Sequence, residues 1–188
     1  SQRKIKAIIP VHVFGSSCDL DEVCNIGKKF KLKIIEDSTE ALGSKYKKKK
    51  ISTYRDLGVI SFNGNKIITT GGGGVILTNN KNVAKKINHL SSTAKVKHLY
   101  EFKHNKIAYN LRLPALNAAI GISQLEKINF ILMKKKKLYL HYKKIFKNCN
   151  YFKIFNPNFN GESNNWINSF ILEDKYSNYK NKLLKFLN

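Results

Sequence analysis

Two short stretches carry the residue types that could do chemistry. In the first, Ser61, Phe62, Asn63, Gly64, Asn65 and Lys66 lead through Ile67, Ile68, Thr69 and Thr70 into four glycines, Gly71 to Gly74. A lysine just past an apolar run, flanked by hydroxyl and small residues, is placed to meet a bulky ligand at close range. Backbone without a Cβ lets that ligand approach. Glycine runs also serve as flexible loops and as phosphate cradles, so the stretch alone leaves the ligand open. In the second, Ile34, Ile35, Glu36 and Asp37 precede Glu40 and Gly43. A carboxylate at the C-terminal edge of a parallel strand stands where open α/β sheets bind ligands. An Asp there can equally be the N-cap of the next helix.

The elements that must position these residues alternate. Residues 6–14 and 33–36 are continuous apolar runs, and residues 21–30 between them have a helical pattern opened by Asp19 or Asp21. That is a βαβ unit, and strands without polar alternation indicate a largely parallel sheet covered on both faces. Residues 57–63 and 74–78 add two strand candidates on either side of the glycine-rich stretch. From Pro114 to Phe146 the period turns helical, with Leu116, Ile120, Leu125, Ile128 and Leu132 on one stripe, as two helices or one bent one. Residues 156–165, rich in Asn, Pro, Gly and Ser, read as a linker, residues 166–173 as a further strand and residues 180–187 as a final helix. The division expected is a large domain over residues 1–150 and the start of a smaller one over residues 151–188.

The 188 residues, 42% hydrophobic with eleven Phe and nine Tyr, suffice for one substantial core. A net charge of +23 raises nucleic-acid binding as a hypothesis. Against it, only Arg3, Arg55 and Arg112 among the 35 basic residues are arginine, the side chain that reads base edges. Solvated lysines, including the runs 47–50 in a turn and 134–137 on a helix, are the preferred reading. Cys18, Cys24 and Cys149 form no C-x-x-C pair, so no disulfide framework or metal site is indicated. With no apolar stretch of membrane-spanning length and a basic start, residues 1–6, that reads into a strand, the expected location is cytoplasmic.

Taken together, the segments resemble the DegT/DnrJ/StrS family of pyridoxal-phosphate-dependent nucleotide-sugar aminotransferases, of fold type I. Pro10-Val11-His12, Gly15 and Asp19 match the family's P-V-H-x-x-G opening. Glu36, Asp37, Glu40 and Gly43 match its acidic block; Ser61, Phe62, Lys66, Thr69 and the glycines match its lysine block. Tyr109, Asn110, Arg112, Ala118, Ala119, Gly121, Gln124 and Leu125 match a fourth. The four occur in order between about residues 8 and 166.

The resemblance implies the site. Lys66 would be the Schiff-base lysine and proton shuttle, and Asp37 would hold the cofactor's ring nitrogen protonated. Ser61 would donate to its phosphate, and Asn110 would reach the phosphate of a neighbouring subunit, so a homodimer is implied. Glu40 stands where many relatives carry Gln, facing the cofactor's phenolic oxygen; it would be protonated, contact something else or be a plain helix-surface residue. His12 could face the cofactor or pack at its strand end. His98 and Arg112 are substrate or structural contacts, and Trp166 is expected in the small-domain core. Glu40 and Gly72, where most of the family has Glu, resemble the branch that aminates UDP-linked 4-keto-6-deoxy N-acetyl sugars, with glutamate as the family's donor. The family's N-terminal phosphate loop and stacking aromatic, and most of its small domain, have no counterpart here, so the chain reads as part of a longer protein. Two alternatives stand beside this: a dehydratase with the same cofactor, some of which replace the lysine with His whereas Lys66 is intact, and a non-catalytic basic nucleic-acid-binding protein.

Overall fold

The computed structural model describes residues 4–156 and 160–187. The first three residues of the basic start and residues 157–159 of the expected linker lie outside the described residues. Helix α1 (Leu20–Lys29) begins at Asp19, whose side chain accepts from the amides of Asp21 and Glu22 and leaves no ambiguity over the cap. Those amides, that of Glu22 foremost, and the Tyr46 hydroxyl hold the Asp19 carboxyl below the usual range. Leu20, Cys24 and Gly27 form the buried face of α1. At Gly27 a Cβ would stand 2.7 Å from Ile34 Cδ1, so the helix lies directly on strand β2 (Lys33–Asp37).

The central sheet has the order β1-β2-β5-β6, with β1 (Ala7–Ile8), β5 (Leu57–Ser61) and β6 (Gly74–Leu77) joining β2. The pairs β1–β2 and β2–β5 are parallel, as the apolar runs imply. The pair β5–β6 is antiparallel, because the chain turns back through the glycine stretch with Ser61 opposite Gly74. Residues 6–14 are not one strand. Pro10 has no amide hydrogen to donate, and Phe14 has φ 54 in a 3-10 turn (Val13–Gly15), so beyond Ile8 only a bridge from Val11 to Asp37 continues the pairing. Pro10 O accepts from Asp37 N at 2.9 Å and His12 N donates to Asp37 O at 3.0 Å, which fixes Asp37 between two neighbours.

The core lies under this sheet end. Ile60, Phe62, Ile67, Ile68 and Trp166 form one buried cluster, with Leu42, Ile128 and Leu132 against it. Trp166, expected in a small-domain core, packs instead with the residues of β5 and the lysine stretch. Leu20, Ala41, Tyr46 and Ile51 form a second cluster. In β5, a Cβ on Gly58 would stand 2.6 Å from Ser52 O and 2.7 Å from Ser52 Cα, both backbone atoms with nowhere to go. Gly58→Ala is expected to lower stability by about 1–3 kcal/mol. A thermal midpoint equal to the parent's would contradict this packing.

The lysine run at residues 47–50 divides. Strands β3 (Lys45–Tyr46) and β4 (Lys49–Lys50) are joined by Lys47 and Lys48, both at positive φ. After α2 (Lys81–Ser91) and the pair β7 (Lys95–Val96) and β8 (Lys103–His104), the long helical stretch proves to be two helices. They are α3 (Ala115–Glu126), with Pro114 at its N-cap, and α4 (Ile128–Ile145), which carries the second lysine run. The apolar stripe read along this stretch divides: Leu116, Ile120 and Leu125 on α3 are exposed, whereas Ile128 and Leu132 on α4 pack against the core, and Gly121 is the buried residue of α3. The rest comprises β9 (Phe152–Ile154), β10 (Gly161–Glu162), β11 (Phe170–Leu172) and α5 (Lys180–Leu187). Strand β11 pairs with β9, but β10 pairs with β3, so the stretch expected as a linker adds a strand beside residues 45–46. The strand expected over residues 166–173 is confined to β11. Among the described residues, no helix is long and apolar enough to cross a membrane.

Candidate active site

The register of the parallel strands puts the candidate residues at one edge. Asp37 ends β2 opposite Val59, two residues before Ser61 ends β5. Asp37 is half-buried, and its Oδ1 accepts from Thr39 N at 3.2 Å. Its Oδ2 has no protein partner among the described residues. Ser61 Oγ accepts from Asn63 N at 3.2 Å, and its hydroxyl hydrogen likewise has no protein acceptor among them.

Past each strand the loops converge. Lys66 Nζ lies 3.6 Å from Glu40 Oε1, with the two side chains 14% and 24% exposed. Glu40 Oε2 accepts from Phe14 N at 2.8 Å. One carboxylate oxygen thus accepts a backbone hydrogen bond and the other faces the lysine amine as an ion pair, and Glu40 lies in a turn rather than on a helix surface. The glycine stretch is tied at both ends: Phe62 N donates to Gly73 O and Thr70 N to Phe62 O. From α3, Gln124 Oε1 accepts from Thr69 N at 3.0 Å, and the Asn117 amide donates to Thr70 O. Gly73, at φ +85, leaves a gap filled by Leu113, whereas a Cβ on Gly72 would meet nothing within 4 Å. The missing side chain at Gly72 thus leaves open space beside the lysine loop.

A second set of contacts had no signal in the sequence beyond composition. Asn164 is buried, and its carboxamide donates to Glu40 O at 2.8 Å and Leu42 O at 3.0 Å while accepting from Trp166 N at 3.0 Å. Ser44 Oγ accepts from Asn164 N and donates to Gly15 O at 2.7 Å. Gly15, at φ +79, is glycine of necessity, since a Cβ would stand 1.9 Å from Asn164 Oδ1. Asn164→Ala strands two part-buried carbonyls and is expected to cost about 2 kcal/mol, read as a lower urea midpoint. A midpoint unchanged within error would contradict this account of the network.

His12 is fully buried, its Nε2 3.5 Å from Glu36 Oε2 and its Nδ1 3.9 Å from Cys18 Sγ. The ring is turned into the interior, between Glu36 and Cys18. Glu36, equally buried, accepts from the amides of Ser52 and Tyr54, both at 2.8 Å. His98 Nδ1 accepts from the amides of Tyr100 and Glu101 and so shapes an exposed turn. Arg112 is exposed. Asn110 lies apart, exposed in a bridge to Ser92, with its neighbour Leu111 bonded through N–H to Ser91 O.

Residues 2–188 match the sequence profile of the DegT/DnrJ/EryC1/StrS aminotransferase family. The chain belongs to this family. Among curated relatives, it is 40% identical over 141 residues to the GDP-perosamine synthase of Escherichia coli O157:H7, covering 75% of this chain and 38% of that protein. It is 32% identical over 185 residues to the UDP-4-amino-4,6-dideoxy-N-acetyl-beta-L-altrosamine transaminase of Helicobacter pylori, covering 98% and 49%. Among solved structures it resembles Helicobacter pylori PseC, an aminotransferase involved in the biosynthesis of pseudoaminic acid. That likeness has a TM-score of 0.91 at 33% identity over 97% of this chain and 49% of the other. The chain thus spans half or less of the length of these relatives. Membership fixes the fold as the fold type I α/β architecture.

Proposed function

We propose that the enzyme containing this chain transfers an amino group to a nucleotide-linked 4-keto-6-deoxy sugar, with pyridoxal 5'-phosphate as cofactor and glutamate as donor. One observation carries the reading: a largely buried lysine amine, paired with Glu40, stands where the loops following β2 and β5 meet. The donor set fits the cofactor. An amine at Lys66, one carboxylate oxygen at Asp37 and one hydroxyl hydrogen at Ser61 match an aldehyde, a ring nitrogen and a phosphate.

Lys66 Nζ would bond to the aldehyde carbon and, once released by the amino donor, take up and return a proton. Asp37 Oδ2 would hold a proton at the ring nitrogen, and Ser61 Oγ would donate to the phosphate. Glu40 keeps Lys66 Nζ oriented from one side. When bound, the cofactor supplies an electron sink for the carbanion left as the substrate proton departs. Asn110 would serve the phosphate of a second copy of the chain. Its exposure, beside the exposed Leu99, Tyr100, Phe102 and Ile107, supports such a homodimer. Sedimentation equilibrium is expected to give twice the chain mass, and a monomer across the micromolar range would contradict it.

The names of both curated relatives support an amino sugar as product, one GDP-linked and one UDP-linked. The relative aligned over 98% of this chain is the UDP-linked, N-acetylated case, so that is the substrate class proposed here. With the complete protein, cofactor and nitrogen-15 glutamate, a UDP-linked 4-keto-6-deoxy N-acetyl sugar is expected to gain one labelled amine, detected by mass. Label appearing only in the GDP-linked sugar would overturn the substrate choice, and label in neither would overturn the reaction. The proposed setting is cytoplasmic polysaccharide biosynthesis.

A further inference from the structure

Lys66 is confined from two sides. Its Nζ stands 4.3 Å from the ring centroid of Trp166 and 3.6 Å from Glu40 Oε1. Trp166 is itself held on every polar atom. Its indole N–H donates to Asn65 O at 2.7 Å, its backbone N–H to Asn164 Oδ1 at 3.0 Å, and its carbonyl accepts from Lys135 Nζ at 3.1 Å. Asn65 immediately precedes Lys66, so the indole also fixes the backbone from which the amine projects. The opposite wall is held too, since Glu40 O accepts from the same Asn164 carboxamide that accepts from Trp166 N.

We propose that Trp166 is a positioning residue for Lys66: its ring face and the Glu40 carboxylate form a two-sided seat for Nζ, and Asn164 ties the two walls together. The proposal rests on the reading of Lys66 as the reacting amine. An ammonium is drawn to the negative face of an aromatic ring, most strongly to indole, and more so where water is excluded. A lysine stem has four rotatable carbons, and without a seat Nζ would sample many directions. Simple core filling would need only apolar volume, which leucine supplies; a seat needs the ring face.

Acetylation of the cofactor-free full chain by an N-hydroxysuccinimide ester at fixed pH, followed by peptide mass analysis, reads Lys66 directly. Lys33, 74% exposed, serves as the internal reference. Trp166→Leu is expected to raise the Lys66 rate about three- to tenfold relative to Lys33, while Trp166→Phe, which keeps a ring face, stays within about twofold of the parent. A leucine variant that reacts at the parent rate, or a phenylalanine variant as fast as leucine, overturns the proposal. Should the leucine variant fail to fold, the unaltered protein gives a second reading. Trp166 is the chain's single tryptophan, so its emission must change in step with Lys66 acetylation. Constant emission while Lys66 is fully acetylated also overturns the seat. Neither readout involves cofactor or amino transfer, so a failure here leaves the reacting role of Lys66 standing, and loss of that role would appear instead as absent nitrogen-15 transfer.

Discussion

Arginine in place of Lys66 is expected to lower kcat for amino transfer by at least about 10⁴-fold. The substitution isolates chemistry from electrostatics. A guanidinium keeps the positive charge, so Glu40 and the Trp166 ring retain a cationic partner. It cannot, however, serve as an amine nucleophile or surrender a proton at neutral pH. The thermal midpoint should therefore remain within a few degrees of the parent while nitrogen-15 transfer disappears. Transfer within tenfold of the parent would mean that Lys66 supplies charge only, and the proposed reaction would need another amine.

Asn in place of Asp37 is expected to reduce kcat by on the order of 10²–10³-fold, the effect of removing one preorganised charge from a site where charge develops. The backbone should notice little. Asn Oδ1 can still accept from Thr39 N, as Asp37 Oδ1 does at 3.2 Å, and the main-chain bonds to Pro10 and His12 do not involve the side chain. What changes is Oδ2, the oxygen without a protein partner among the described residues, which becomes an N–H donor and can no longer hold a proton facing it. Rates are compared at saturating sugar and glutamate with cofactor in excess, so that weaker cofactor binding is not mistaken for slower chemistry. A loss below about fivefold would leave Asp37 only the turn role seen in its bond from Thr39 N, since no helix follows β2 for it to cap.

Local rules made much of this architecture legible. The helical pattern over residues 21–30, with Asp19 as one of its two cap candidates, and the apolar runs that become β2 and β5 are all local signals, and the elements form there. The lysine and aspartate stretches could be joined because strands in a parallel sheet bring their C-terminal ends to one edge whatever lies between. Pairing at sequence distance was not legible. Nothing local announces that Asn164 reaches Glu40 and Leu42, or that Trp166 lies over Lys66, because both are set by a chain return of about a hundred residues. Composition even pointed the other way: Asn, Gly and Ser near residue 160 signal a loop, and only burial turns such an asparagine into a bracket for orphan carbonyls.

Two further departures have physical causes. The continuous apolar run at residues 6–14 read as one strand, but Pro10 and the left-handed Phe14 break the ladder, and His12 is drawn inward beside Glu36. The stripe read from Leu116 to Leu132 had the period of a core face, yet only its α4 part, Ile128 and Leu132, packs on the core; its α3 residues are exposed, and it is the polar Asn117 and Gln124 that dock onto Thr69 and Thr70. Periodicity reports which residues share a face and not what covers it. At Glu40 the structure shows contacts the sequence could not: one oxygen accepts from Phe14 N and the other lies 3.6 Å from Lys66 Nζ.

The central claim is that one lysine among the many in this basic chain bonds to the cofactor. The direct measurement is borohydride reduction of the complete protein after incubation with pyridoxal phosphate, with the modified peptide located by mass. A single pyridoxyl group on Lys66 is the expected result, at one per chain and lost in the arginine variant. A modification scattered over exposed lysines, with Lys66 unlabelled, would contradict the account.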